Sequence, residues 1–322
     1  SRILQMVATL ALALVLLTFP FFVRQPFPMH VMITILMYVT LGQSWNIVGG
    51  YAGQLSFAHA VFFALGAYTS TLLLLHWGLT PWLGLLAGAL VAGLAGVALA
   101  YPCARLRGHY FAMATLAFGE IMRISFLRWK LVGGAQGLSL PIRESSLYYL
   151  TWGSKLPYYY VFLGLAVLAV GIVYAIDRAR FGIYLKAIQQ DEEAMQNLGL
   201  DTRRYKLAAM FLSAGLAAGA GTLYAQYILY IDPDSTMPLL LSVMIIIVVL
   251  FGGRGTVAGP VLGAFFLVPL SEYTRTYLGG FGRGVDFILF GLIIVLFAIY
   301  EPRGLVALVR QVGRRPARGR RE

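Results

Sequence analysis

Residues 157–176 read PYYYVFLGLAVLAVGIVYAI, a block without a single charge. A helix rising about 1.5 Å per residue needs roughly 20 such positions to cross a hydrocarbon core about 30 Å thick. Similar blocks recur along the chain at Ile3–Val23, Phe27–Val48, Phe57–Leu75, Pro81–Tyr101, Tyr110–Trp129, Leu207–Tyr230, Pro238–Phe251, Val257–Leu278 and Val285–Tyr300, ten segments in all. Hydrophobic residues fill 59% of the 322 positions and charged residues 12%. Soluble domains run near half apolar and about a quarter charged. The pattern predicts an all-α integral membrane protein of about ten transmembrane helices. Ile3–Val23 reads as the first of them: its apolar run outlasts the usual core of a signal peptide, and no small-residue cleavage site follows.

The formal net charge of +12 does not point to nucleic acid, because the basic residues are spread between apolar blocks instead of covering one soluble domain. Arg2, Arg105, Arg107, Arg178, Arg180, Lys186, Arg203, Arg204, Lys206, Arg254 and the arginines from Arg303 onward fall on one side of a ten-helix path. The other side holds Arg24, Arg128, Lys130, Arg143, Lys155, Arg275 and Arg283. The positive-inside rule then places both termini in the cytoplasm. Cys103 is the only cysteine, which excludes an internal disulfide and a cysteine-based metal cluster.

Residues 1–309 read as one membrane domain with two long interruptions. The external one, 130–156, contains Gly133, Gly134, Gly137, Pro141 and the pair Tyr148 and Tyr149, a loop with room for one interfacial helix. The internal one, 177–206, carries eleven charges, six basic and five acidic, and is built to meet water or protein. The segment 310–322 is an Arg-rich cytoplasmic tail suited to anionic lipid headgroups. Gly84 with Gly88, Gly215 with Gly219, and Gly259 with Gly263 have the four-residue spacing that lets helix backbones approach where lipid supplies no hydrophobic drive.

No phosphate-binding loop, dinucleotide fingerprint, paired-histidine zinc motif or Gly-x-Ser-x-Gly elbow occurs. His30, His59, His76 and His109 lie in separate segments. An intramembrane enzyme has little support, and any ATP must be handled by another chain.

Within 177–206, Asp191-Glu192-Glu193-Ala194-Met195-Gln196-Asn197-Leu198-Gly199 reads as a short capped helix. Asp191 suits the N-cap, Glu192 and Glu193 the anion-favouring first turn, and Gly199 the left-handed position after the last. Ala194, Met195 and Leu198 form its apolar stripe. Two turns are too short to stand alone, so the element is expected to dock. On the pattern alone, a simple capped connector explains the run equally well.

The run Gly50-Tyr51-Ala52-Gly53-Gln54-Leu55-Ser56-Phe57-Ala58-His59-Ala60 resembles the signature of branched-chain amino-acid ABC importer permeases, in particular the longer, LivM-like of their two membrane subunits. Arg105-Leu106-Arg107-Gly108, Ala114–Glu120, Arg204-Tyr205-Lys206-Leu207, Leu250–Gly255 with Gly259-Pro260, and Pro302-Arg303-Gly304-Leu305 follow in family order. The resemblance implies a fold similar to type II ABC importer permeases. It makes Asp191, Glu192, Glu193, Ala194, Met195, Leu198 and Gly199 an ATPase-coupling element. It further implies a second homologous permease in a heterodimer, two ATPase subunits that hold ATP and magnesium, an external substrate-binding protein, and a multi-pass place in a bacterial or archaeal cytoplasmic membrane. No cofactor is expected in this chain.

Two membrane-embedded features remain. Glu120 and Arg123 lie three apart on one helix face, so a structural ion pair turned to the interior is preferred over substrate contact. Gln54, Ser56 and His59 interrupt an apolar stretch, extended by Gln43 and Asn46 a few residues earlier. This strip either lines the translocation pathway or is a cytoplasmic turn. Substrates with an apolar side chain suit a pathway poor in unpaired charge, with amides, urea or small carboxylates as the alternative. An ion-coupled secondary transporter would want several embedded carboxylates; Glu120 is the one that stands out.

Overall fold

A computed structural model of the chain describes residues 16–23, 25–104, 106, 108–141, 146–278, 291–292 and 304–307. It is built almost wholly from helices. After a helical stretch at 16–22 come α1 (Pro26–Trp45), a π-helical segment (Asn46–Tyr51), α2 (His59–Trp77), α3 (Pro81–Cys103), α4 (His109–Arg128), α5 (Lys155–Arg178), α6 (Arg180–Gln190), α7 (Glu192–Asn197), α8 (Thr202–Ile228), α9 (Pro233–Thr236), α10 (Leu239–Gly252) and α11 (Ala258–Leu278).

Among the described residues seven segments are long and apolar enough to span a membrane: Pro26–Tyr51, His59–Trp77, Pro81–Cys103, His109–Arg128, Lys155–Arg178, Thr202–Ile228 and Pro233–Gly252. α11 matches the ninth apolar segment in length but carries Pro269, Glu272 and Arg275. Most of the first expected segment, most of the tenth, Arg105, Arg107 and the tail lie outside the described residues.

α2, α3 and α8 pack most closely, and α1 lies against α5, α8, α10 and α11. Small side chains set the first of these contacts. Ala214, Ala217, Ala218 and Ala220 on α8 are fully buried. A Cβ on Gly66 would overlap the backbone of Ala218, and one on Gly221 the carbonyl of Phe63. With lipid as solvent, such close backbone contact is what holds helices together. The glycine pairs read from the sequence divide. Gly84 and Gly88 meet Ser70 and Gly66, and Gly259 and Gly263 meet the carbonyls of Gly253 and Val248, whereas Gly215 and Gly219 have only ordinary contacts.

The 130–156 interruption holds no α-helix among its described residues before Lys155. Gly133 and Gly137 take positive φ angles of 80° and 70°, which break a helix after one turn. Two 3₁₀ turns, Lys130–Val132 and Gly134–Gln136, lead to β1 (Leu138–Ser139), antiparallel to β2 (Tyr230–Ile231). The 177–206 interruption is largely helical. α6 buries Leu185 and Ile188, spaced for one helix face, and Lys186 Nζ pairs with Asp177 at 2.6 Å.

Candidate functional site

α1 widens into the π-helical segment, and the chain then runs non-helically to α2. Gly49 and Gly50 permit this by close approach: a Cβ at Gly49 would enter the Trp45 ring, and one at Gly50 would sit 2.7 Å from the Gly255 nitrogen. Side chains satisfy the freed backbone. Trp45 Nε1 donates to the Ser56 carbonyl at 2.8 Å, Phe57 N–H to Thr115 Oγ1 at 3.0 Å, and Ala60 N–H to Ser242 Oγ at 3.0 Å. Ser213 Oγ donates to the Ser44 carbonyl at 2.6 Å and lies 2.8 Å from His59 Nε2.

The loop between α10 and α11 is pinned to the same region. Asn46 Nδ2 donates to the Thr256 carbonyl at 2.9 Å while its Oδ1 accepts from Gly255 N–H at 2.8 Å. Gln43 Nε2 donates to the Val257 carbonyl at 2.7 Å. Backbone polar groups left unpaired inside a membrane cost several kcal/mol each, so two irregular stretches can be stacked here only because these side chains meet them. Gln43, Asn46, Ser56 and His59 are fully buried and Gln54 nearly so. They form an internal knot. None of them lines the cavity described next.

A cavity of about 550 Å³ lies toward the opposite end of α1. α1 contributes His30, Ile33, Thr34, Met37 and Tyr38, whose three- and four-residue spacing puts them on one face. Phe63 of α2, Phe162 of α5, Tyr224 and Tyr227 of α8, and Leu241 and Met244 of α10 form the apolar and aromatic wall. Ser271, Glu272 and Arg275 enter from α11. His30 Nδ1 and the Tyr227 hydroxyl are hydrogen-bonded at 2.8 Å with their rings stacked. The sequence reading gives none of these residues a site role. Glu272 and Arg275 repeat the three-residue spacing of Glu120 and Arg123, and His30, Thr34 and Tyr38 form a polar stripe every fourth residue, so the signal was present.

Glu120 and Arg123 do form an ion pair, at 2.6 Å. They face outward, not to the interior: their side chains are 48% and 26% exposed, and Arg123 also pairs with Asp234 of α9 at 2.6 Å. α4 leans only lightly on its neighbours, which leaves its charged face on the outside of the chain. Glu120 is not among the residues that line the cavity. Glu272 is a second carboxylate within a long helix, α11.

α7 is capped at its N-terminus by Asp191, whose carboxylate accepts from Ala194 N–H at 3.0 Å. It is closed by Gly199 at φ 84°. Glu192 Oε1 receives Lys206 Nζ at 2.6 Å and the Thr202 hydroxyl at 3.2 Å, tying α7 to the first turns of α8. The outer face is exposed: α7 buries no residue, and Leu198 is 80% exposed. Glu193, Ala194 and Gly199 are exposed with it, and Met195 is half-buried.

A family model described as branched-chain amino acid transport system / permease component matches residues 27–297. The chain belongs to that family. The permease is 32% identical to the high-affinity branched-chain amino acid transport system permease protein LivM of Escherichia coli K12, over 96% of its own length and 77% of the relative's. It is 23% identical to the probable branched-chain amino acid transport permease protein LivM of Methanocaldococcus jannaschii, covering 84% and 90% of the two chains. The probable permease LivH of that archaeon is 26% identical over 75% of the permease and 78% of the relative. No solved structure matches. The knot, the cavity and α7 all lie within the matched residues.

Proposed function

We propose that the permease is one of two homologous membrane subunits of an ATP-driven importer for branched-chain and other hydrophobic amino acids. Similarity to LivM over nearly the whole chain, and to LivH over most of it, supports both the substrate class and the pairing of like subunits. ATP and magnesium belong to two partner ATPase subunits, and an external binding protein delivers the substrate. About ten helices of type II permease arrangement, both termini in the cytoplasm, follow from the charge bias and the family.

The observation that carries this reading is α7. A two-turn helix is unstable alone. Here one side is anchored by a buried ion pair, while an exposed Leu198 crowns the other. Such a part transmits force, because whatever grips its outer face moves α8 through Glu192 and Lys206. The run Asp191 to Gly199 is therefore assigned as the ATPase-coupling element. Motion of α7 on ATP binding and hydrolysis would tilt α8 and alternate access between the two membrane faces.

The test is reconstitution of the purified complex with its binding protein in liposomes. Uptake of leucine that needs ATP on the ATPase side and survives collapse of proton and sodium gradients supports the proposal. A native complex lacking an ATPase, with uptake that follows an ion gradient when ATP is depleted, defeats it.

A further inference from the structure

We propose that the cavity between α1, α8, α10 and α11 is a transport subsite for a single zwitterionic amino acid. Glu272 takes its ammonium group, Arg275 its carboxylate, and the aromatic wall its branched side chain. This rests on the amino-acid importer reading above and adds a place and a recognition chemistry to it.

The volume of about 550 Å³ falls in the range of roughly 300–1,000 Å³ typical of small-molecule sites. Its lining is the expected mixture, mostly apolar with a few polar groups converging from separate helices. The decisive point is the pair of opposite charges. Glu272 and Arg275 stand three apart on one face of α11, both line the cavity, and among the described residues neither is engaged in an ion pair. Glu120 and Arg123 have the same spacing and are joined. Ionisable groups within membrane helices are expensive unless paired or set against a pathway or ligand. Two charges of opposite sign that line one cavity, unpaired among the described residues, suit a ligand that carries both.

The alternatives fit less well. A neutral amide or urea would leave both charges unmet. A simple carboxylate or a lipid phosphate would satisfy Arg275 and be repelled by Glu272. A zwitterion satisfies each, and the guanidinium fork suits a carboxylate bidentately. His30 and Tyr227 hold one another, which fixes the polar side of the wall. Phe63, Phe162, Leu241 and Met244 face the space that a branched side chain would occupy.

The test uses the assembled importer in lipid nanodiscs without binding protein. A Cys103→Ser background carries Ser271→Cys, a lining position, and the rate of its modification by a small thiosulfonate is followed against added leucine. 4-Methylpentanoate, which lacks the ammonium, and 3-methylbutylamine, which lacks the carboxylate, are compared. Leucine is expected to slow modification at least threefold, with each analogue needing about tenfold higher concentration, the scale of one lost charge-assisted hydrogen bond. Adding Glu272→Gln should erase the preference for leucine over 4-methylpentanoate, and Arg275→Gln the preference over 3-methylbutylamine. Thr34→Cys provides an independent lining site for the same measurement.

Modification indifferent to leucine at both positions, in an importer that takes up leucine with its binding protein, overturns the subsite and leaves the importer standing. Protection that persists unchanged in both charge variants overturns the assignment of the charges. A wild-type importer that takes up no hydrophobic amino acid with ATP overturns the reading beneath.

Discussion

Lys206 Nζ lies 2.6 Å from Glu192 Oε1, with the two side chains only 6% and 14% exposed. This contact joins α7 to α8 from within. Removing one partner of a buried pair leaves a stranded charge, at a cost of about 3–5 kcal/mol, whereas replacing both with apolar groups is often close to neutral. Glu192→Ala or Lys206→Ala should therefore release α7, seen as faster proteolysis within 191–200 and loss of coupling between ATP hydrolysis and uptake. Glu192→Met with Lys206→Met should resist proteolysis far better than either single variant. Equal protease resistance in all three would show that the pair does not hold α7.

The outer face of α7 predicts the opposite pattern. Leu198 touches little within the chain, so Leu198→Asp should leave thermal stability within about 0.5 kcal/mol, as for other exposed positions. The same change should abolish co-purification of the ATPase or uncouple it, and Glu193→Lys, at another exposed position of α7, should likewise weaken coupling. Normal uptake with normal ATPase stimulation in both variants would remove α7 from the coupling path.

Much of this arrangement was readable from residue order. Apolar runs of spanning length located α1 to α5, α8 and α10, and the cap signals of Asp191 and Gly199 set the ends of α7 within a residue. Local chemistry fixes such features, since a cap needs only its own side chain and the next turn. What stayed hidden depends on partners distant in sequence. Asn46 meets Thr256 and His59 meets Ser213 across more than 150 positions, and no spacing rule announces either contact. The same holds for Gly66 and Gly221, which form tight contacts without a glycine four residues away. The interior-facing expectation for Glu120 and Arg123 failed because pairing can be read from spacing while the outward direction of a helix face cannot. Asp234, the third member, arrives from another helix.

Asn46 holds the α10–α11 loop by donating to one backbone group and accepting from another. Asn46→Ala strands both, and each buried group left without a partner costs about 1–3 kcal/mol. Thermal unfolding in detergent should show a loss of about 2 kcal/mol or more. Asn46→Asp keeps the acceptor for Gly255 but loses the donor to Thr256 and buries a charge, so it should be no better than alanine. An Asn46→Ala variant that melts with the wild type would mean that the loop is held without this side chain.

The contact between α2 and α8 makes the sharpest demand on residue size. A methyl group at Gly221 would run into the Phe63 carbonyl, and one at Gly66 into the Ala218 backbone. Neither obstacle is the end of a flexible side chain, so the helices themselves must part. α2 also carries His59 and Phe63, and α8 carries Ser213 and Tyr224, so separation loosens the Ser213–His59 bond and the cavity wall together. Overpacking typically costs about 1–3 kcal/mol, and Gly66→Ala and Gly221→Ala should each fall at the upper end of that range in thermal unfolding. Gly164 of α5 has nothing within 4 Å of a built Cβ. Gly164→Ala should be neutral or stabilising by up to about 1 kcal/mol, because alanine favours a helix. If alanine at all three positions shifts unfolding equally, close backbone contact between α2 and α8 is not what holds this bundle together.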